Sequence, residues 1–188
     1  VEGDASSASY FFAAGAIAGS VEVANINKSS IQGDLEFLNV IKKMGANIEY
    51  LPNSIKVSKK QGLVGMTIDC ENIPDAAMTL AVLALFAKGT TTLKSIASWR
   101  VKETDRILAM ETELKKLGAF VTTSKSSITI KPPKAINNNI TIDTYDDHRM
   151  AMCFSLVCLS NNNIVINDPR CTNKTYPNFF KDFGGIIA

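Results

Sequence analysis

The sequence predicts an α/β (α+β) fold, an inside-out, barrel-like domain of three β-α-β-α-β-β repeats with buried helices and outer four-stranded sheets. Three segments begin with an aspartate, Asp4, Asp75 or Asp147, and run into a small or apolar helix, at separations of 71 and 72 residues. Self-similarity at a fixed period indicates a repeat architecture. Two of these helices also lack a polar face, because residues 76–87 contain only Thr79 as a polar residue and residues 150–159 only Ser155.

A helix that is apolar on every side is buried on every side, which is why the helices are expected inside the sheets. The alternative is a doubly wound sheet with helices outside, and it requires amphipathic first helices. We therefore interpret the chain as one domain, residues 1–188, with repeats at approximately 1–60, 61–133 and 134–188.

The first repeat is predicted to contain a helix after Asp4 that ends at Ala18-Gly19, a strand at 20–24 and an amphipathic helix that ends at Met44-Gly45. Glycine suits such an end because the residue after a helix often needs a positive φ. Two alternating strands follow at 46–50 and 55–58, around a polar turn. Only residues 1–3 precede the first helix, so the front strand of this repeat is missing.

The second repeat is predicted to be complete, with strands at 65–70, 90–96, 119–123 and 127–130. Its first helix follows Asp75 and ends at Lys88-Gly89. Its second helix carries an apolar stripe and ends at Leu117-Gly118, with Thr104 as the expected N-cap. The stripe consists of Ile107, Met110, Leu114 and Leu117.

The third repeat is predicted to have strands at 138–143 and 163–167, a helix from Asp147 through Leu159, and a second helix ending near Phe183-Gly184-Gly185. No hairpin follows. The domain is therefore expected to be incomplete at both ends, with the missing strand and hairpin supplied by polypeptide outside this chain.

Composition limits the possible functions. Twenty basic and 18 acidic side chains give a net charge of only +2, so there is no basic stripe of the kind that duplex nucleic acid requires. The four cysteines show no paired metal-ligand spacing, which predicts no zinc site and a reduced, cytoplasmic compartment. The longest apolar runs are too short to span a bilayer.

Charged residues concentrate just ahead of the second helix of repeat two, where residues 99–106 contain Arg100, Lys102, Glu103, Asp105 and Arg106. A cation in the first turn of a helix is mildly disfavoured by the helix dipole, and a bound anion reverses that penalty. The alternative is a solvated helix start in which the two acids neutralise their basic neighbours.

If the repeats pack side by side in one direction, the helix starts converge and bring together a set of charged and polar residues. The alternative is that the aspartates are simply helix caps. His148, the one histidine, is either a structural residue or a group whose tautomer Asp147 holds and whose pKa Arg149 lowers. Lys174 is either solvated or a phosphate partner. The convergent set is Asp4, Gln32, Asp75, Lys102, Glu103, Arg106, Asp146, Asp147, His148, Arg149 and Lys174.

Several long segments resemble the C-terminal half of the 5-enolpyruvylshikimate-3-phosphate synthase family, across essentially the whole chain. They read VEGDASSASYFF, NIPDAAMTLAVLALFAKGTTTL, SWRVKETDRI and DDHRMAMCFSL. The resemblance implies two domains of three such repeats with ligands in the cleft between them. It also implies that a segment from the start of the whole protein supplies the missing hairpin.

The resemblance implies an enolpyruvyl transferase that moves the enolpyruvyl group of phosphoenolpyruvate to the 5-hydroxyl of shikimate 3-phosphate through a tetrahedral intermediate and releases phosphate. This is a step of the shikimate pathway, towards chorismate and the aromatic amino acids. No metal and no organic cofactor are implied. The full enzyme is expected to be monomeric, without nucleic-acid or membrane partners, and this chain alone is expected to have no appreciable turnover.

Roles follow from the resemblance residue by residue. Asp75 is similar to the base that contacts the attacking hydroxyl, and Glu103 to the proton donor and acceptor at the enol methylene. Arg106 and Arg149 resemble the pair that grips the phosphoenolpyruvate carboxylate, and Lys174 the lysine that binds its phosphate. Lys102 resembles the lysine facing shikimate phosphate. His148 is a possible accessory residue.

One position departs from the family pattern. Ser98 stands where the family often has Asn, and its shorter hydroxyl is expected to reach shikimate 3-phosphate only through water. Two alternative functions stay open at this stage. One is the sister enolpyruvyl transferase that acts on UDP-N-acetylglucosamine, and the other is a non-catalytic RNA-binding module, against which the near-neutral charge and few aromatic residues argue.

Overall fold

A computed structural model describes residues 2–187 and shows four sheets around three central helices. The first repeat contains α1 (Ala5–Ala18), β1 (Ser20–Ala24), α2 (Glu36–Met44), β2 (Asn47–Tyr50) and β3 (Ser54–Ser58). The second contains β4 (Leu63–Val64), β5 (Thr67–Asp69), α3 (Ala76–Leu83), β6 (Ala87–Lys88), β7 (Thr91–Lys94), α4 (Arg106–Lys116), β8 (Phe120–Thr123) and β9 (Ile128–Lys131). The third contains β10 (Ile140–Ile142), α5 (His148–Phe154), β11 (Ile164–Ile166) and α6 (Phe179–Ile187).

Three of the four sheets, one in each repeat, share one topology at different degrees of completion, and the fourth is the parallel pair β4-β6. The second repeat has a four-stranded sheet in the order β5-β7-β9-β8, with β5 and β7 parallel and the other pairs antiparallel. The first repeat has β1-β3-β2, which matches β7-β9-β8 without the front strand. The third has the parallel pair β10-β11, which matches β5-β7 without the hairpin. Within the described residues, the four-stranded sheet is therefore present in the middle repeat alone.

The helices α1, α3 and α5 form the centre of the domain, as their apolar sequences predict. Every residue of α3 is buried, and α3 packs against both α1 and α5. Polar side chains of the three helices meet at one place in this apolar centre. The Thr79 hydroxyl of α3 lies 2.8 Å from Ser9 Oγ of α1 and 3.7 Å from Cys153 Sγ of α5. The rival arrangement with helices outside the sheets is thereby excluded.

Two predicted helix ends are wrong at the buried helices. The α3 helix ends at Leu83 rather than at Lys88-Gly89, and a 3-10 turn over Ala84–Phe86 leads into β6, which pairs with β4. The α5 helix ends at Phe154, and a 3-10 segment continues over Ser155–Ser160. A continuous apolar run does not distinguish a buried helix from a buried strand, so the sequence alone overextended both helices.

The prediction that a glycine with a positive φ ends each amphipathic helix is confirmed for two of the three. Gly45 and Gly118 follow α2 and α4 with φ of 117° and 92°, as predicted. The predicted end at Phe183-Gly184-Gly185 is wrong, because α6 runs through both glycines to Ile187. A glycine inside a helix costs only about 1 kcal/mol relative to alanine. Phe183 is buried and its ring stacks on that of Phe179, with 5.4 Å between the ring centroids, so this side of the helix packs against the core.

The predicted N-cap of α4 is also wrong. The helix begins at Arg106, and Asp105 is the N-cap, because its carboxylate accepts a hydrogen bond from Leu108 N at 3.1 Å. Thr104 lies one residue too early for that bond. Arg106 is in the first turn, as the sequence predicts.

Among residues 2–187, no helix is both long and apolar enough to cross a membrane.

Candidate active site

Arg106 joins the starts of three helices at one point. As the first residue of α4, it donates from Nε to Asp147 at 2.7 Å, from Nη1 to Asp75 at 2.9 Å and from Nη2 to Glu103 at 2.7 Å. Its side chain is only 1% exposed. Burial disfavours the guanidinium charge, but the hydrogen bonds and charges of the three carboxylates outweigh it and raise the pKa of Arg106. The predicted convergence of helix starts is therefore present for α3, α4 and α5.

The carboxylate of Asp75 faces three cations. It occupies the N-cap position of α3 yet makes no capping hydrogen bond. Its oxygens contact Arg106 at 2.9 Å and Arg149 Nη2 at 3.0 Å, with Lys102 Nζ at 3.9 Å. The side chain keeps 26% of its surface exposed. Asp75 is thus a partly accessible anion held by fixed cations, and the simple capping interpretation does not apply to it.

A different aspartate serves the start of α3. Asp34 accepts a hydrogen bond from the Ser6 hydroxyl of α1, and the backbone N–H of Ala76, the first residue of α3, favours its charged form. Burial raises the pKa of Asp34, and the nearby charge of Asp75 adds to that rise. Next to it, Gln32 accepts from Ala5 N at 2.8 Å at the start of α1. The carboxylate of Asp75 is therefore not needed as a cap.

The other two helix-leading aspartates do act as caps. Asp4 accepts from Ser7 N at 2.8 Å, and Asp147 accepts from Arg149 N at 2.9 Å. Asp147 is fully buried and also binds Arg106, whereas Asp4 is exposed and acts at the start of α1 only. The capping alternative is thus confirmed for Asp4 and is part of the role of Asp147.

Arg149 connects Asp75 with the central helix α1. Its Nη1 lies 3.3 Å from the Tyr10 hydroxyl, and its Nη2 donates to Asp75. Burial lowers the pKa of this guanidinium, but the interaction with Tyr10 and the charge of Asp75 raise it further than burial lowers it. Tyr10 is itself completely buried, so Arg149 is held between a rigid phenol and a carboxylate.

His148 lies against the same acids without a hydrogen bond at Nδ1. This atom is 3.7 Å from Glu103 and 3.8 Å from Asp147, and it is buried and unpaired. The expectation that Asp147 holds the histidine tautomer is therefore wrong, because the Asp147 oxygens are engaged by Arg106 and the Arg149 amide. Burial and then the Arg149 charge lower the pKa of His148, as predicted for Arg149.

Glu103, Asp147 and His148 each offer an atom that could bind a metal ion, and these three atoms lie within 4.8 Å of one another. Both carboxylates already accept hydrogen bonds from the buried Arg106 guanidinium. A divalent cation at this place would face that fixed positive charge, so the spacing does not by itself make a metal site.

The charged segment ahead of α4 is anchored by a tryptophan. Trp99 is fully buried, and its indole N–H donates to the carbonyl of Pro74 at 2.6 Å, one residue before Asp75. Ser98 and Lys102 flank this anchor, and both are exposed. Arg106 is buried, so the alternative of a fully solvated helix start is excluded for it. Asp105 pairs with Arg100 at 2.7 Å instead.

Lys174 lies at the end of a 3-10 segment, Pro169–Lys174, and its Nζ donates to the carbonyl of Asp146 at 3.2 Å. It is exposed. The pKa of His148 is lowered first by burial and then by the Arg149 charge, and the charge of Lys174 lowers it slightly further, while Asp147 and Glu103 act in the opposite direction. The structure thus brings five of the predicted site residues into one network of contacts: Asp75, Lys102, Glu103, Arg106 and Arg149. Lys174 joins this network only through the backbone carbonyl of Asp146, the residue before Asp147.

Sequence reasoning missed three residues that shape this site: Tyr10, Asp34 and Trp99. Trp99 stands inside the recognised charged segment, and its indole N–H, which needs a partner when buried, was a usable signal. Tyr10 contacts Arg149, 139 positions away in the sequence, and Asp34 interacts with Ala76, 42 positions away. No local sequence pattern predicts contacts between segments so far apart.

The chain matches, over residues 1–183, a family model described as EPSP synthase (3-phosphoshikimate 1-carboxyvinyltransferase). It is 53% identical to the 3-phosphoshikimate 1-carboxyvinyltransferase of Shewanella sp. (strain MR-7), covering 100% of this chain and 44% of that protein. It is 56% identical to the protein of the same name from Photobacterium profundum, covering 96% and 42%. The chain therefore spans less than half the length of these curated relatives.

Solved structures agree with these matches. The chain is similar to the EPSP synthase from Acinetobacter baumannii with a TM-score of 0.85 at 27% identity, over 96% of this chain and 45% of that one. The enolpyruvyl transferase NikO from Streptomyces tendae gives a TM-score of 0.73 at 14% identity, over 97% and 42%, which shows a likeness of fold alone.

Proposed function

Because the chain belongs to the EPSP synthase (3-phosphoshikimate 1-carboxyvinyltransferase) family, we propose that it forms one half of an enolpyruvyl transferase. The whole enzyme transfers the enolpyruvyl group of phosphoenolpyruvate to the 5-hydroxyl of shikimate 3-phosphate and releases phosphate. The single observation that carries this proposal is the contact of Asp75 and Glu103 with the guanidiniums of Arg106 and Arg149.

In the proposed addition step, Asp75 takes the proton of the attacking 5-hydroxyl, and the hydroxyl oxygen bonds to C2 of phosphoenolpyruvate. Glu103 gives a proton to the methylene carbon C3, which forms the tetrahedral intermediate. In the elimination step the bond from C2 to the phosphate oxygen breaks, Glu103 takes a proton back from C3, and the leaving phosphate takes the proton that Asp75 holds. Positioned acids and bases of this kind contribute about 100- to 10,000-fold in rate.

The substrate carboxylate is proposed to bind Arg106 and Arg149, whose planar forks suit a two-oxygen anion. In the absence of substrate the donors of Arg106 are occupied by Asp75, Glu103 and Asp147. Asp147 is buried, while Asp75 and Glu103 are partly exposed. Phosphoenolpyruvate is therefore expected to displace the contacts of Asp75 and Glu103, and this releases both acids for proton transfer.

The remaining assignments concern the phosphates. Lys174 is proposed to bind the phosphate of phosphoenolpyruvate and Lys102 that of shikimate 3-phosphate, since an ammonium is a compact point charge for such anions. Ser98, exposed beside the Trp99 anchor, is proposed to contact shikimate 3-phosphate through water. The full enzyme is proposed to act as a monomer without nucleic-acid or membrane partners.

The test is a phosphate-release assay with both substrates. The isolated chain is expected to show no appreciable turnover, and the chain assembled with the remaining part of the Shewanella relative is expected to be active. Asp75→Ala and Glu103→Ala should each reduce the rate of this assembly by about 100-fold or more. Asp69→Ala, which removes an exposed carboxylate at the end of β5, is the matched control and should leave the rate unchanged.

Robust turnover by the isolated chain, or full activity of both alanine variants, would contradict the proposal. Replacing shikimate 3-phosphate by UDP-N-acetylglucosamine in the same assay separates the sister transferase, which would release phosphate from phosphoenolpyruvate only when UDP-N-acetylglucosamine is the acceptor.

A further inference from the structure

Two consecutive residues ahead of α5 adopt a left-handed backbone. Tyr145 has φ of 54° and Asp146 has φ of 55°. Such conformations are uncommon for residues with a Cβ atom and cost about 1 kcal/mol or more each. They persist where the surrounding structure holds them. The turn lies directly before Asp147, His148 and Arg149, so whatever holds it also sets the position of these side chains.

Glu113 holds this turn from the far end of α4. Its carboxylate is fully buried and accepts hydrogen bonds from the Tyr145 hydroxyl at 2.7 Å and from Asp143 N at 3.2 Å. Lys116 compensates the buried charge, because its Nζ lies 2.8 Å from Glu113 and 2.8 Å from the Asp143 carboxylate. Glu113 therefore holds the backbone at Asp143, just before the turn, and the side chain of Tyr145, the first residue of the turn.

The left-handed turn also positions two groups of the candidate active site, Lys174 and Arg149. The Asp146 carbonyl accepts the hydrogen bond from Lys174, and the chain then continues through Asp147 to Arg149, which reaches Asp75. Glu113 and Arg106 are seven residues apart on α4, about two helical turns, and so lie on one face of the helix. A single rigid helix thus contacts the acid cluster at its first residue and the turn at Glu113.

We propose that Glu113 is a positioning residue of this site. It touches none of the groups assigned to substrate. Through Tyr145 and the backbone of residues 143–146 it holds Arg149 and Lys174 in the geometry that binds phosphoenolpyruvate. The inference rests on the proposed function, because the affinity it predicts is the affinity for that substrate.

The experiment uses the chain assembled with the remaining part of the Shewanella relative and measures KM for each substrate. Glu113→Gln and Tyr145→Phe should each raise KM for phosphoenolpyruvate by about 10-fold, since small displacements of binding groups have effects of this order or larger. KM for shikimate 3-phosphate should stay within about twofold, because Lys102 and Ser98 lie on a different segment.

Glu111→Gln is the matched control. Glu111 lies on the same helix and also pairs with a lysine, Lys115, at 2.6 Å, but its other partner is Thr123 of β8 rather than the turn. Both KM values of this variant should equal those of the wild type. A further variant adds Asp146→Gly to Glu113→Gln. Glycine adopts a positive φ without steric cost, so this change should restore part of the lost affinity.

An equal rise of both KM values, or an unchanged KM for phosphoenolpyruvate in both Glu113→Gln and Tyr145→Phe, overturns the inference. A crystal structure of the Glu113→Gln assembly gives a readout independent of turnover. The left-handed turn and the contact from Lys174 to the Asp146 carbonyl should be lost or displaced there, and their retention also overturns the inference. Absence of phosphate release by the wild-type assembly contradicts the proposed function instead.

Discussion

At the scale of single residues, the site is organised by Arg106, one buried cation that binds three carboxylates. Removing water from a charge is costly, and the cost is repaid only where good geometry and several hydrogen bonds compensate it. Asp147, Asp75 and Glu103 supply those bonds at 2.7–2.9 Å. The arginine therefore holds Asp75 and Glu103, the two proposed proton-transfer groups, at the site until phosphoenolpyruvate displaces them.

Replacing Arg106 by lysine should damage both stability and activity. Lysine keeps the charge, but a single ammonium cannot reach three carboxylates with a planar fork. We expect Arg106→Lys to lower the free energy of unfolding by about 1–3 kcal/mol, measured by urea denaturation. Turnover of the assembled enzyme should fall by about 100-fold. Arg100→Lys is the control: this exposed side chain pairs with Asp105 and donates to two backbone carbonyls, so the change should cost at most about 1 kcal/mol and leave turnover unchanged. Equal behaviour of the two variants would contradict this account.

His148 predicts a pH dependence of stability. Burial and the Arg149 charge lower the pKa of the folded residue below its usual value of about 6.5. The unfolded chain therefore binds a proton at a higher pH than the folded one. The contribution of this group to stability is complete above about pH 6.5 and is lost as the pH falls towards the lowered pKa.

His148→Gln should consequently lose less stability than the wild type between about pH 7 and pH 5, measured as the urea midpoint at each pH. The chain has no other histidine, so the difference belongs to this residue. Identical pH profiles for the two proteins would show that the histidine is not held neutral in the folded state.

At the scale of elements, helix starts decide where the charged side chains point. The Ala76 amide at the start of α3 interacts with Asp34, and the Asp75 carboxylate binds Arg106 and Arg149. Asp105 caps α4 and so places Arg106 in the first turn. The sequence predicted the three helices and their order, but it assigned the cap of α4 to the wrong residue, Thr104.

Two alanine substitutions test the cap of α4. Asp105→Ala should reduce the free energy of unfolding by about 1 kcal/mol, because the Leu108 amide loses its partner. Thr104→Ala should stay within about 0.5 kcal/mol of the wild type. Urea denaturation measures both changes, and a larger loss for Thr104→Ala would restore the sequence-based assignment.

At the scale of the whole molecule, the three repeats meet through their central helices. Ser9, Thr79 and Cys153 contribute one polar atom each from α1, α3 and α5, in surroundings that are otherwise apolar. A buried hydroxyl needs a partner, so this contact favours one arrangement of the helices over others that bury the same apolar surface.

Thr79→Val keeps the shape of the side chain and removes both of its hydrogen bonds. It should lower the free energy of unfolding by about 1 kcal/mol, measured by urea denaturation. Thr92→Val is the control, because the hydroxyl of Thr92 binds Thr129 across the partly buried outer sheet and should cost about half as much or less. A stabilised Thr79→Val protein would show that the polar contact does not hold the helices together.

Local patterns in the sequence determined the repeat, the buried helices, most strands and the residue types of the site. Periodicity, turn chemistry and the charged segment around Arg106 each extend over a few residues, so one chain is enough to detect them. The strand at Ser20–Ala24 and the glycine ends of α2 and α4 follow such patterns and are confirmed.

Only the tertiary structure decided which side chains touch. Asp34 binds the Ser6 hydroxyl of α1, Tyr10 contacts Arg149, and Glu113 binds Tyr145, which is 32 positions away in the sequence. The end of α3 at Leu83 likewise depends on the pairing of β6 with β4. These contacts join segments that are distant in the chain, and their energy depends on burial and geometry that exist only after the repeats have packed together.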